Sequence, residues 1–215
     1  MHRIGVVGVS WRHGRLDALA SLTLARDERP ARLPALAAEL GLDGLVYLAT
    51  CNRVELAFVT DGTVPMSACR RGILAGLTGR APRAGEAEQV LRAWQGEGAA
   101  EHILLVAAGL DSARIGEGEI AVQVRDAVEE SRALGLLPPA LDRVFTQALR
   151  VARRARPATG GRVEQVSLAD VAVRHALERV TRTPGPVALV GVSAMTERCA
   201  RALTAAGAAV LVVNR

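Results

Sequence analysis

The 215-residue sequence predicts an α+β domain, a βαββα sandwich followed by helices, joined to a partial α/β unit. Short β-branched runs alternate with helical patterns in the first third, and the pattern is helical from about residue 86 to 156. A strand, a glycine turn, a helix and a strand follow near the end. Pro157 and Gly160-Gly161 interrupt the chain between these regions, so we predict domains at 1–157 and 158–215.

The elements of the first region follow from the spacing of apolar residues. Short β-branched runs bounded by glycine are typical of strands, and apolar residues three and four apart are typical of helices. We therefore expect, in order, a strand at 4–9, a helix at 27–40, strands at 45–49 and 54–59, and a helix at 66–77.

Three further helices are predicted at 101–110, 119–134 and 138–156. The second has an inner stripe formed by Ile120, Val124, Ala127, Val128 and Ser131. The last region predicts a helix at 167–180, a buried-type strand at 187–190, a helix at 194–206 and a second buried-type strand at 209–213. One βαβ unit cannot bury both faces of its sheet, so we expect this domain to be incomplete.

The composition favours a soluble protein of the cytoplasm. Half of the residues are hydrophobic and 23% are charged, with neither a run long enough for a membrane span nor a basic-then-apolar leader. The three cysteines, Cys51, Cys69 and Cys199, are too widely spaced to indicate a disulfide framework or a zinc site. They suit a reducing compartment.

The net charge of +5 permits an anionic partner, and all of the basic excess is arginine. Arg150, Arg153 and Arg154 share one face of a predicted helix, which can meet phosphates or simply be solvated. Aromatic residues make up only 2% of the chain, which argues against a base-stacking platform for single-stranded nucleic acid.

Cys51 is the first candidate for chemistry. It lies at the predicted turn between two strands, where a thiol is displayed, and Arg53 follows two residues later. A guanidinium there can favour the thiolate or hold a substrate carboxylate. The alternative is that Cys51 is a small hydrophobic core residue, as free cysteines often are.

A dinucleotide-binding turn is the second candidate. The segment Gly191 to Thr196 lies between a predicted strand and helix, as a G-x-G-x-x-G fingerprint does, but Ser193 and Thr196 replace two of the glycines. Asn214 and Arg215 follow the next strand, where an arginine suits the 2′-phosphate of NADP. Taken alone, the segment is better explained as an ordinary strand-to-helix turn.

Several blocks of the sequence together resemble the glutamyl-tRNA reductase family: Thr50-Cys51-Asn52-Arg53, residues 102–112, Gly116-Glu117 and residues 123–127. The resemblance implies a catalytic N-terminal domain followed by the start of a Rossmann-like NADPH-binding domain. It also implies an oxidoreductase that converts glutamyl-tRNA to glutamate-1-semialdehyde with NADPH, in tetrapyrrole (porphyrin) biosynthesis.

The resemblance also implies roles for individual residues. Cys51 would attack the aminoacyl ester to form a thioester, which NADPH reduces, and His102 would be an acid/base or positioning group. The implied substrate-binding residues are Thr50, Arg53, Ser112, Glu117 and Gln123. The implied cofactor-binding residues are Gly191, Ser193, Met195, Asn214 and Arg215.

This chain departs from the family pattern at several places. Residues 10–15 replace an Asn-His-Lys-Thr-type segment, Leu19-Ala20 replaces an arginine-glutamate pair, and Glu119 and Val122 replace a glutamine and a glycine. With two glycines missing from its nucleotide turn, we expect little NADPH binding by this chain, and a homodimer only if a C-terminal helical domain exists. The alternatives are a degenerate relative that binds aminoacyl-tRNA or a partner protein without reduction, and a thioester-forming aminoacyl transferase.

Overall fold

The computed structural model describes residues 3–12, 16–112, 119–158 and 168–214. The chain divides into two compact units, Met1–Thr159 and Gly160–Arg215. The assignment of a catalytic and a nucleotide-binding role to these two units stays a prediction.

The centre of the first unit is a four-stranded antiparallel sheet. Its strands are β1 (Ile4–Ser10), β2 (Leu42–Ala49), β3 (Arg53–Thr60) and β4 (Arg92–Gln95), in the order β2-β3-β1-β4. β1 and β3 pair along their whole length, from Ile4 opposite Val59 to Ser10 opposite Arg53. Their β-branched and aliphatic residues suit a pleated surface that is covered on both faces.

Helices cover both faces of this sheet. The first layer contains α1 (Leu16–Leu22), α2 (Arg29–Glu39), α3 (Met66–Thr78) and α4 (Glu86–Val90). The second contains α5 (Glu97–Ala107), α6 (Glu119–Ala133) and α7 (Pro139–Ala158). All five residues of the predicted inner stripe of α6 are buried. The predicted α+β architecture is confirmed.

The alternation of side chains along β3 decides which layer each residue meets. Val54, Leu56 and Phe58 pack among the apolar side chains of the α1–α4 layer, whereas Ala57 and Val59 pack among those of the α5–α7 layer. Because side chains of a strand alternate between its faces, Arg53 and Glu55 project toward the α5–α7 layer. Arg53 and Glu55 therefore lie on the face of the sheet that the α5–α7 layer covers.

The second unit contains α8 (Leu168–Arg182), β5 (Val187–Val190), α9 (Ala194–Ala205) and β6 (Val210–Val213), with β5 and β6 parallel. The predicted βαβ order is confirmed, but the two strands are not buried. Val190 is 77% exposed and Val212 58%. The reason is that α9 packs on the pair and leaves much of it uncovered.

One strand is missing from the sequence prediction. The helical pattern expected from residue 86 onward contains β4, which pairs antiparallel with β1 from Gly5 opposite Gln95 to Gly8 opposite Arg92. β4 has four residues, of which Arg92 and Gln95 are exposed. So short an edge strand has little hydrophobic periodicity of its own.

Candidate active site

Cys51 lies on the tight turn of residues 50–52 that joins β2 to β3, and it is exposed. The Thr50 hydroxyl oxygen accepts hydrogen bonds from the backbone N–H groups of Asn52 and Arg53, both at 3.2 Å. The backbone N–H of Thr50 donates to the Arg53 carbonyl at 2.8 Å, and that of Trp11 donates to the Asn52 carbonyl at 2.8 Å. The turn is therefore held by its neighbours while Cys51 is displayed.

Arg53 begins β3 and is almost fully buried, with 1% of its surface exposed. Its Nη1 donates to Glu55 Oε1 at 3.0 Å. Its Nη2 donates to the Asp111 backbone oxygen at 2.5 Å and to Asp111 Oδ2 at 3.1 Å. A buried guanidinium requires such partners, because an unpaired buried charge is strongly unfavourable. Both terminal nitrogens of Arg53 are thus already engaged by the protein.

Glu55 connects Arg53 to His102. The same Oε1 atom lies 3.0 Å from His102 Nε2, and both residues are buried. An ionised carboxylate only accepts hydrogen bonds, so the His102 Nε2–H is the donor when Glu55 is ionised. Trp94 stacks on the same imidazole. His102 is fixed both through a ring nitrogen and through a ring face.

Asp111 bridges the buried Arg53 to a second arginine at the surface. Asp111 Oδ1 lies 3.3 Å from Arg12 Nε, and the Arg12 side chain is 41% exposed. The Arg12 guanidinium also lies over the Trp11 ring, 5.1 Å from its centroid. We call Arg12, Arg53, Glu55, His102 and Asp111 the Arg53 cluster.

The structure brings most of the predicted site residues together. Thr50 and Cys51 lie on one turn that Arg53 directly follows, Glu55 links His102 to Arg53, and Ser112 is buried directly after Asp111. Gln123 lies half-buried on α6. Glu117 lies outside the described residues. The individual roles of these residues stay predictions.

Four residues of the site were not found by sequence reasoning: Arg12, Glu55, Asp111 and Trp94. Glu55 had a usable signal, since residues two apart on a strand face the same side and Arg53 precedes it by two. Asp111 lies within the block 102–112 that carries the family resemblance, next to Ser112. Trp94 had no local signal, because β4 itself has little periodicity.

The Gly191 turn is closed by its own side chains. Gly191 has φ +91°, which favours glycine. Ser193 caps α9: its Oγ accepts from the Thr196 N–H at 3.2 Å, and its N–H donates to Thr196 Oγ1 at 2.8 Å. Two N–H groups at this helix start are therefore occupied by the protein itself, which leaves fewer for a pyrophosphate. Met195 and Asn214 are exposed, and Arg215 lies outside the described residues.

The predicted basic face is on α7. Arg150, Arg153 and Arg154 are exposed, while Phe145 and Ala148 of the same helix are buried among apolar side chains. Across the described part of the chain, no helix combines the length and apolarity needed to cross a membrane.

Comparisons with known proteins agree on one family. The family described as "Glutamyl-tRNAGlu reductase, N-terminal domain" matches residues 7–159. The glutamyl-tRNA reductase of Natronomonas pharaonis is 34% identical over 210 residues, covering 98% of this chain and 44% of that protein. That of Sorangium cellulosum is 32% identical over 231 residues, covering 97% and 43% respectively.

A solved structure extends the likeness to the fold. The glutamyl-tRNA reductase from Methanopyrus kandleri matches with a TM-score of 0.62 at 28% identity, covering 100% of this chain and 50% of that chain. The chain spans less than half the length of the curated relatives it matches. On the matched domain, the sequence identity and the shared fold, the chain belongs to the glutamyl-tRNA reductase family.

Proposed function

We propose that this chain carries the acyl-transfer step of a glutamyl-tRNA reductase. The Cys51 sulfur attacks the carbonyl carbon of the glutamyl ester, a C–S bond forms, and the C–O bond to the terminal ribose breaks. The thiol proton ends on the departing ribose oxygen, so the products are free tRNA and a glutamyl thioester on Cys51. The observation that carries this proposal is an exposed thiol on a turn continuous with the Arg53 cluster.

His102 is the proposed acid/base group. Glu55 holds the proton on Nε2, which leaves Nδ1 to take the thiol proton and return it to the ribose oxygen. The stack on Trp94 fixes the plane of the ring. A pre-oriented imidazole of this kind needs no reorganisation during proton transfer.

Arg53, Thr50, Ser112, Glu117 and Gln123 are the proposed residues for binding the aminoacyl group. Arg53 supplies positive charge for the side-chain carboxylate of glutamate. The Thr50 hydroxyl holds the turn that presents Cys51, so its support of the substrate site is partly structural. The exposed arginines of α7 offer a surface for the tRNA phosphates.

The reductive step belongs to the proposed activity of the longer protein. NADPH would supply the hydride that reduces the thioester to glutamate-1-semialdehyde for tetrapyrrole biosynthesis, in the cytoplasm. We assign no such step to the Gly191 turn, because Ser193 and Thr196 occupy two of its N–H groups. Titration of this chain with NADPH should therefore show little binding. We propose a homodimer only for a chain that also has a C-terminal helical domain.

Trapping the thioester tests the acyl-transfer step. The chain is mixed with tRNA carrying labelled glutamate, without NADPH, and quenched in acid. We expect label on the protein that neutral hydroxylamine releases, as it does thioesters. Cys51→Ser should remove this label, and Cys69→Ser, at a buried thiol of α3, should retain it. Equal hydroxylamine-sensitive label on Cys51→Ser would show that another residue is the nucleophile.

A relative that binds charged tRNA without reducing it is the second candidate, favoured by the self-capped Gly191 turn. It predicts that the chain binds glutamyl-tRNA but traps no label that hydroxylamine releases. A thioester-forming transferase predicts instead that label is trapped and that an added amine acceptor removes it. The trapping experiment therefore distinguishes the three possibilities.

A further inference from the structure

The Asp111 carboxylate lies between two guanidinium groups beside the nucleophile turn. Its Oδ1 lies 3.3 Å from Arg12 Nε, and its Oδ2 lies 3.1 Å from Arg53 Nη2. Arg53 follows the turn of residues 50–52 directly, and Arg12 follows Trp11, whose N–H is bonded to the Asn52 carbonyl. The protein thus holds one of its own carboxylates in a two-arginine site next to Cys51.

We propose that the Asp111 carboxylate is an internal stand-in for the side-chain carboxylate of the glutamyl group. In this proposal, which rests on the function proposed above, Asp111 swings away when substrate binds. Arg12 and Arg53 then receive the substrate carboxylate together. Arg12 becomes a specificity-determining residue, and Asp111 a gate on the same site.

The geometry permits this exchange without moving Arg53. The guanidinium of Arg53 is also held by Glu55 Oε1 and by the Asp111 backbone oxygen, and neither bond depends on the Asp111 side chain. The Asp111 side chain is 24% exposed, so rotation brings its carboxylate into water. Arg12, at 41% exposure, lies on the solvent side where an incoming group first arrives.

The charges of the Arg53 cluster make the exchange selective. Arg12 and Arg53 are balanced by Asp111 and Glu55, so a third carboxylate entering beside them finds no uncompensated positive charge. An incoming carboxylate that replaces Asp111 restores the balance. A neutral amide cannot, because Arg12 would then lack its ionic partner and Arg53 would keep only Glu55. Displacing Asp111 costs the same for either group, and only a carboxylate recovers that cost.

Binding of three forms of one tRNA tests the proposal: uncharged, glutamyl and glutaminyl, the last two in a stable amide linkage that prevents acyl transfer. The unaltered chain should prefer the glutamyl form. Arg12→Gln should reduce this preference over uncharged tRNA about tenfold, the size expected for one charge-assisted hydrogen bond. Asp111→Asn should bind both aminoacylated forms more tightly, because neither has to displace a carboxylate, and should keep the preference for the glutamyl form. Arg125→Gln, at an exposed arginine of α6, should leave both preferences unchanged.

Each contrary outcome identifies what has failed. Equal binding of all three RNAs by the unaltered chain would contradict the proposed function itself. A glutamyl preference that survives Arg12→Gln would overturn the role of Arg12 alone. Weaker glutamyl-tRNA binding by Asp111→Asn would show that Asp111 only supports Arg53. It would overturn the proposal that Asp111 occupies the place of the substrate carboxylate.

Discussion

The indole of Trp94 stacks on the imidazole of His102, with ring centroids 3.7 Å apart and ring planes inclined by 11°. Trp94 comes from β4 and His102 from the middle of α5, so the contact ties the sheet edge to the helix. With Nε2 held by Glu55, the imidazole can neither flip nor tilt without losing a contact. This is how the fold pre-orients the proposed acid/base group.

Replacing Trp94 should slow acyl transfer without weakening RNA binding. Trp94→Ala removes the stacked surface and lets the His102 ring turn, so we expect the rate of thioester formation to fall about tenfold or more. Trp94→Phe keeps an aromatic face and should retain most of the rate. Single-turnover labelling at saturating glutamyl-tRNA measures the rate, and a separate titration measures affinity. Equal loss of affinity in both variants would contradict a positioning role.

Glu55→Gln should destabilise the first unit, because it removes the buried one of the two carboxylates that pair with Arg53 and leaves only the partly exposed Asp111. Breaking one partner of a buried ion pair costs about 3–5 kcal/mol in the free energy of unfolding. Glu101→Gln, on the exposed face of α5, should change it by less than about 0.5 kcal/mol.

Urea unfolding followed by tryptophan emission measures this change. Both tryptophans, Trp11 and Trp94, belong to the unit Met1–Thr159, so the signal reports that unit. If Glu55→Gln were as stable as Glu101→Gln, Glu55 would not be the partner that allows Arg53 to be buried.

The three thiols should differ in reactivity. Cys51 is exposed, whereas Cys69 and Cys199 are 1% and 4% exposed. Burial raises the pKa of the Cys69 thiol and, in the second unit, that of the Cys199 thiol, which lowers their thiolate fractions at neutral pH. Iodoacetamide should therefore alkylate Cys51 first, as peptide mass spectrometry can follow. Modification of Cys69 ahead of Cys51 in the folded chain would contradict the described turn.

Tyr47 should make the first unit sensitive to alkaline pH. Its hydroxyl donates to the Leu22 carbonyl at 2.9 Å and accepts from the Leu24 N–H at 2.8 Å. Burial raises the pKa of Tyr47 above its ordinary value of 10.0. The folded state thus binds this proton more tightly than the unfolded state. The stabilisation is complete below pH 10.0 and is lost as the pH rises from there through the folded-state pKa.

This titration is directly observable because Tyr47 is the only tyrosine in the sequence. Tyrosinate absorbance should appear at higher pH in the folded chain than in the chain unfolded by urea. Tyr47→Phe should abolish the signal in both states and provides the background. Identical midpoints in the two states would show that the hydroxyl is not buried as described.

The long, periodic elements of the fold could be predicted from sequence. α2, α3 and α6 carry apolar residues at helical spacing, and their buried faces match the predicted ones where stripes were assigned. β4 could not be predicted, because it exists through pairing with β1, which is distant in the sequence. The exposure of β5 and β6 likewise depends on what packs against them, whereas the sequence shows only that their residues are apolar.

The candidate site was predictable in its nucleophile turn and not in its supporting contacts. Cys51 between two apolar runs indicates a displayed thiol, and the structure has Cys51 exposed there. The burial of Arg53 depends on Glu55, its neighbour on β3, and on Asp111, which meets it only after the sheet and the helices of the α5–α7 layer assemble. An ion pair between residues far apart in the chain leaves no local pattern in the sequence. The spacing of two residues between Arg53 and Glu55 is a partial signal, because it places both on one face of a strand.

The alternation of side chains along β3 also disfavours misaligned pairing of β3 with β1 during folding. If β3 slipped by one residue against β1, its aliphatic side chains would exchange places with the guanidinium of Arg53 and the carboxylate of Glu55. The two charges would then enter the apolar cluster formed by Val54, Leu56, Phe58 and the α1–α4 layer. A misaligned intermediate is therefore less stable than in an all-aliphatic strand, so Arg53 and Glu55 favour the native register of β3.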